Sequence, residues 1–139
     1  MRVVIDINIL VSALIVPTGR AATVIRMWLD GKFTLLTCAT HVNELRATLH
    51  KPRIADLIDK AGRLVNQIRK LAEDIDPLPC VERSSDPDDD YLLALAEAAD
   101  ADYLVTGDKG GLLDLGTHKG TRIISARDFA ALFAGTYEH

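Results

Sequence analysis

Residues 85–113 read Ser-Asp-Pro-Asp-Asp-Asp-Tyr-Leu-Leu-Ala-Leu-Ala-Glu-Ala-Ala-Asp-Ala-Asp-Tyr-Leu-Val-Thr-Gly-Asp-Lys-Gly-Gly-Leu-Leu. The stretch predicts an acid-headed helix, a strand over Tyr103–Val105, and an aspartate, Asp108, just past the strand's end. Asp86 suits an N-cap with Pro87 at the first helical position. Asp88 and Asp89 then fall in the first turn, where the helix dipole favours each negative charge by about 0.3–1 kcal/mol. Asp90 has no such excuse, because it leads into Tyr-Leu-Leu-Ala-Leu-Ala, a run so apolar that the helix is expected to be buried on most sides. A carboxylate at that edge needs a partner. Asp108 reads as a second ligand for a cation, and a divalent metal is the economical complement.

Outward from this stretch, strand and helix patterns alternate. Arg2 to Ile5 is a short β-branched run ending at Asp6, as expected of a central parallel strand covered on both faces. Helices are predicted over residues 9–14, 20–29, 40–50 and 54–72. The last carries Ile54, Leu57, Ile58, Leu64, Val65, Ile68 and Leu71 inward. Thr40 is the expected cap of the third. Residues 33–37 and 122–124 read as strands, and residues 75–81, interrupted by prolines, as at best an edge strand. A short helix near 112–115 and a last helix over 126–133, capped by Ser125, complete the chain. Such alternation predicts an α/β fold, a three-layer α/β/α sandwich on a central parallel sheet. With 139 residues and no linker or repeat, one domain over 1–139 is expected.

In open sheets of this kind, sites form outside the carboxyl ends of the strands. Asp6 and Asp108 stand at carboxyl strand ends. Asp90 and Glu44 stand near helix N-termini at the same sheet edge. Two like charges 4 Å apart repel by about 4 kcal/mol at an effective dielectric of 20. Four converging acids therefore take up protons or bind a hard cation. Oxygen-only donors favour Mg²⁺ or Mn²⁺ over zinc, and that donor set suits phosphodiester hydrolysis.

Composition bounds the reading. With 48% hydrophobic and 26% charged residues the chain is ordinary for a globular protein. No apolar run approaches the length of a membrane span, no signal peptide is read at the start, and a cytoplasmic protein with no membrane partner is expected. Cys38 and Cys80 lack metal-ligand spacing and read as small reduced core residues. The net charge of -4 is unevenly placed. Residues 46–70 carry Arg46, Lys51, Arg53, Lys60, Arg63, Arg69 and Lys70 against only Asp56 and Asp59, whereas residues 73–102 hold eleven acids and one base, Arg83. The basic flank is either a solvated face or a track for a polyanion. His41 reads as an ordinary surface histidine, and Trp28 as core or dimer interface. Lys109 is either a phosphate contact or a solvated lysine.

Four segments in order, Val-Ile-Asp-Ile-Asn at 4–8, Asn-Glu-Leu at 43–45, the acidic run at 86–96 and Ala-Asp-Tyr-Leu-Val-Thr-Gly-Asp-Lys at 101–109, closely resemble PIN-domain proteins. Within them they look most like the VapC-like toxin components of type II toxin–antitoxin pairs. The resemblance implies a Mg²⁺- or Mn²⁺-dependent endoribonuclease acting on single-stranded RNA, usually a homodimer, with an antitoxin as partner. Carried over, the catalytic acids are Asp6, Glu44, Asp90 and Asp108, with Asp6, Asp90 and Asp108 on the metal and Asn8 and Thr106 in support. Asp90 is preferred to Asp89 as the Asp four residues before the first Ala of Leu-Leu-Ala-Leu-Ala. Many relatives carry a further acid where Gly110 stands, so a second metal site is in doubt. Two rivals stand beside this reading. A haloacid-dehalogenase-like phosphatase would want Asp and Thr where Asn8 and Leu10 stand. A catalytically inactive PIN-fold module would bind RNA or protein with structural acids.

Overall fold

A computed structural model of the chain describes residues 1–84, 86–107 and 111–133. Strand β1, Arg2–Ile5, is followed by helices α1, Ile7–Ile15, and α2, Arg20–Leu29. Strand β2, Thr34–Thr37, leads into α3, Ala39–Leu49. A 3-10 segment, Pro52–Leu57, precedes α4, Ile58–Leu71, and β3, Glu73–Asp74. A second 3-10 turn, Pro87–Asp89, opens α5, Asp90–Ala98. Then come β4, Tyr103–Val105, α6, Leu112–Leu115, the strands β5, Thr117–His118, and β6, Thr121–Ile124, and α7, Ala126–Ala131.

Among the described residues these strands form one sheet in the order β3-β2-β1-β4-β6-β5. All neighbours run parallel except β5 and β6. The strand alternation splits the core in two. Val3, Ile5, Leu35 and Val105 pack with apolar residues of α1, α2, α3, α4 and α7. Val4, Leu36 and Leu104 pack with α5 and Leu112 of α6. Helices thus cover both faces of a mostly parallel sheet, as the alternating pattern predicts. On the first face Phe129 meets Phe33 edge-on, ring centroids 5.3 Å apart, and Tyr103 at 5.6 Å. Trp28 lies in this core.

Four local expectations are corrected, and one element was not expected. The edge strand forms at Glu73–Asp74 and not at 75–81, because Pro77 and Pro79 have no N–H to give a ladder. Glu73 is held there by an ion pair with Arg2. The predicted helix over 54–72 is split, with Leu57 at φ -109° breaking the α-helical ladder. The change from three to 3.6 residues per turn rotates the face, so Ile58 points out at 69% exposure, and Leu71 is exposed at the far end. Thr40 is not the cap of α3; Cys38 stands there, its carbonyl accepting the Val42 N–H at 3.1 Å. Cys80 is exposed, and only Cys38 joins the core. The hairpin β5–β6 was unforeseen. Its two-residue turn, Lys119 at φ 48° and Gly120 at φ 87°, has the paired positive φ of a tight β-hairpin.

Candidate active site

The parallel strands end together at one edge, and the chain places its polar groups there. Asp6 follows β1 and caps α1. It is only 4% exposed. One carboxylate oxygen accepts the Asn8 backbone N–H at 3.2 Å, and the other accepts the Thr106 hydroxyl at 2.7 Å. Thr106 directly follows β4, so two neighbouring strand ends are joined through one carboxylate. These two bonds and the positive end of α1 compensate the cost of burying the charge.

A cleft of about 480 Å³ opens over Asp6 and is lined also by Asn8, Ile9, Ser12, Asp86, Asp89 and Gly107. Three aspartates from two distant parts of the chain therefore share one open space. Asp86 is there because the acidic run begins with a turn: its side chain accepts the Asp88 N–H at 3.0 Å, with Pro87 at the first helical position. That is the N-cap expected from the sequence. The 3-10 turn then carries Asp89 to the cleft.

The structure does not bring all the sequence candidates together. Asp90, the first residue of α5, does not line the cleft. Its carboxylate accepts the backbone N–H groups of Ser84 at 2.7 Å and Arg83 at 3.2 Å. Both bonds fall on Oδ1. Glu44 lies exposed on α3 and does not line the cleft either, although its charge reaches Tyr91. Asp108 lies outside the described residues, as do Lys109 and Gly110. Gly107, just before them, borders the cleft.

The site residues read from the sequence left out Asp86, Ser12 and Tyr91, and preferred Asp90 to Asp89, which lines the cleft. Tyr91 follows Asp90 into the helix and is partly buried. Its hydroxyl is pushed well above the ordinary tyrosine range, first by burial and then by the carboxylates of Asp6 and Glu44. Cys38 and Asp89 add to the same shift. It is a neutral donor beside the acids. The aromatic in the third place of Asp-Asp-Tyr was a visible signal.

His41 corrects the surface-histidine expectation outright: it is completely buried. Its Nε2 donates to the Ile5 carbonyl at 2.7 Å, and the Thr37 hydroxyl meets its Nδ1 at 2.8 Å. The ring thus ties the ends of β1 and β2 just beneath Asp6. Burial pushes its pKa below the ordinary value, against smaller opposing effects of the Ile5 carbonyl and Asp6.

The cleft's donor set contains only oxygen, which fits a hard divalent cation and not zinc. Among the described residues no three His, Cys, Asp or Glu side chains are close enough to form a complete metal site. Mg²⁺ does not require such a trio, since it commonly takes one or two carboxylates and fills its remaining positions with water and substrate oxygens.

The PIN-domain family model matches residues 2–110. The chain belongs to the PIN-domain family. PIN domains are a family of nucleases, and such nucleases typically use divalent metals. No curated protein and no solved structure matches the chain. The matched span covers every described residue of the acid cleft, from Asp6 to Gly107. At the same edge of the sheet, a second hollow at the carboxyl ends of β2 and β3 is lined by Asn43, Arg46, Arg69 and Asp74. It carries two bases of the cationic flank noted in the sequence.

Proposed function

We propose that this protein is a Mg²⁺- or Mn²⁺-dependent endoribonuclease that cuts single-stranded RNA. The observation that carries the reading is the cleft over buried Asp6, shared with Asp89 and Asp86, in a chain of the PIN family. Asp6 and Asp89 are the carboxylates that would hold the metal, with Asp108 a further candidate from the sequence. When bound, the metal activates water and offsets charge on the phosphate. The chain's own residues prepare the place. Thr106 and the Asn8 amide fix the Asp6 carboxylate, and Tyr91 offers a neutral hydroxyl in the acids' field. Arg46 and Arg69 would receive the backbone of the incoming strand.

The same reading makes the protein the toxin of a toxin–antitoxin pair, working in the cytoplasm as a homodimer. A groove between α1, α2 and α4 supports an antitoxin as partner. Its lining combines Leu14, Ile25 and Leu64 with Arg26, Lys60 and Arg63. An apolar segment with acidic flanks would fit it, and an Arg from the same segment would neutralise Asp6. Ile15, Val16 and Leu29 are exposed nearby in the chain and would serve the dimer.

The test is cleavage of a single-stranded RNA oligonucleotide by purified protein in Mn²⁺. Activity should vanish in EDTA, and Asp6→Asn and Asp89→Asn should each lose at least about a hundredfold in kcat while remaining folded. Full activity in EDTA, or in Asp6→Asn, would sink the reading. Specific RNA binding without any cutting would favour the inactive binding module.

A further inference from the structure

Asp90 stands next to a cleft-lining acid yet gives one carboxylate oxygen to two backbone amides, and those amides belong to a longer chain of contacts. Asp90 Oδ1 accepts from both Ser84 N–H and Arg83 N–H. The Arg83 guanidinium donates through Nη1 to the Thr117 carbonyl at 2.8 Å and to His118 Nδ1 at 2.9 Å. A guanidinium can only donate, so Nδ1 accepts and the imidazole proton sits on Nε2. That nitrogen lies 3.0 Å from Glu97 Oε1, one more donor–acceptor match. His118 is 5% exposed. Asp90 and Glu97 both belong to α5, so the contacts close into a ring through α5, the segment before Asp86, and the β5–β6 hairpin.

We propose that Asp90, Arg83 and His118 form a clamp that positions Asp86 and Asp89 on the cleft, with Asp90 acting as an amide acceptor and not as a metal-holding carboxylate. The transmission is short. Ser84, fixed through its N–H by Asp90, accepts the Asp86 N–H on its Oγ at 3.1 Å. Asp86 in turn accepts the Asp88 N–H, next to Asp89. All three members are positioning residues. Arg83, the one base between residues 73 and 102, is thereby committed to the fold through Nη1 before any substrate arrives. The consequence for catalysis rests on the nuclease reading above; the clamp itself does not.

The experiment compares the full-length wild type with Asp90→Asn, Asp90→Ala and Arg83→Met. Amide hydrogen exchange is followed at Ser84 and Asp88 without metal, and kcat and KM on the RNA oligonucleotide with Mn²⁺. Asn keeps an acceptor oxygen, so Asp90→Asn should protect Ser84 and retain kcat within about threefold. Asp90→Ala and Arg83→Met should speed exchange at both amides. They should lower kcat by about tenfold or more with KM within about twofold, as loss of an outer-shell support does. An Asp90→Asn protein as inactive as Asp89→Asn would make Asp90 a metal ligand and overturn the clamp. So would unchanged exchange in Asp90→Ala, or an Arg83→Met protein in which only KM rises. Failure of the nuclease reading shows separately, in wild-type protein that does not cut, and exchange at Ser84 then decides the clamp alone.

Discussion

His41 shows what one side chain can decide. A histidine on α3 becomes the joint between two strand ends because both ring nitrogens find partners inside the core. Its pKa is held below the ordinary value of 6.5, mainly by burial. The unfolded chain takes up a proton near pH 6.5 that the folded ring refuses. The contribution of neutral His41 to stability is therefore full above pH 6.5. It is lost progressively as pH falls below that value, at up to about 1.4 kcal/mol per pH unit for one proton. His41→Gln can keep the donor to Ile5 but cannot titrate. Melting curves between pH 7 and 5 should fall less steeply for His41→Gln than for the wild type. Parallel curves would show that the buried ring does not carry the acid dependence.

At the scale of elements, two glycines predict opposite outcomes for one substitution. Gly120 sits in the β5–β6 turn at φ 87°, a conformation that side chains resist. Gly62 lies within α4, where an added methyl meets nothing within 4 Å. Gly120→Ala should destabilise by about 1 kcal/mol. Gly62→Ala should stabilise by about 0.5–1 kcal/mol, since alanine restricts the unfolded chain and suits a helix. Urea unfolding measures both; a stabilised Gly120→Ala would mean that the turn has another shape. The hairpin also carries His118, so loosening it reaches the neighbourhood of α5. The same scale explains the split of the predicted helix over 54–72. Apolar spacing marked Ile54, Leu64, Val65 and Ile68 as core. It could not show the 3-10 segment that rotates Ile58 outward.

For the whole molecule, the cleft predicts that metal and stability are linked. A ligand at about a hundred times its dissociation constant stabilises by about 2.7 kcal/mol, which is several degrees of melting temperature for a domain of this size. Mg²⁺ or Mn²⁺ should raise the wild-type Tm by that order and Asp6→Asn much less. Equal rises in both proteins would remove Asp6 from the metal. Ca²⁺-free buffer and matched ionic strength isolate the effect from general screening, which matters for a chain with a cationic flank and an acidic cleft.

What the sequence determined by itself was the kind of fold and the address of the site. Alternating β-branched runs and amphipathic segments required a parallel sheet with helices on both faces. Aspartates at the ends of residues 2–5 and 103–107 pointed to one sheet edge. The family resemblance rested on the same residues, and the family match covers them. Only the tertiary structure decided which acids of the run 86–90 look into the cleft. Neighbouring residues on a helix point about 100° apart, so a single turn aims Asp86 and Asp89 one way and Asp90 another. Asp90 is turned to the Arg83 and Ser84 amides just before the run, and Arg83 is itself bound to His118 on a hairpin 35 residues further along. His41 was illegible for the same reason. Its partners, Ile5 and Thr37, lie on two strands, and no local pattern records a hydrogen bond across a sheet.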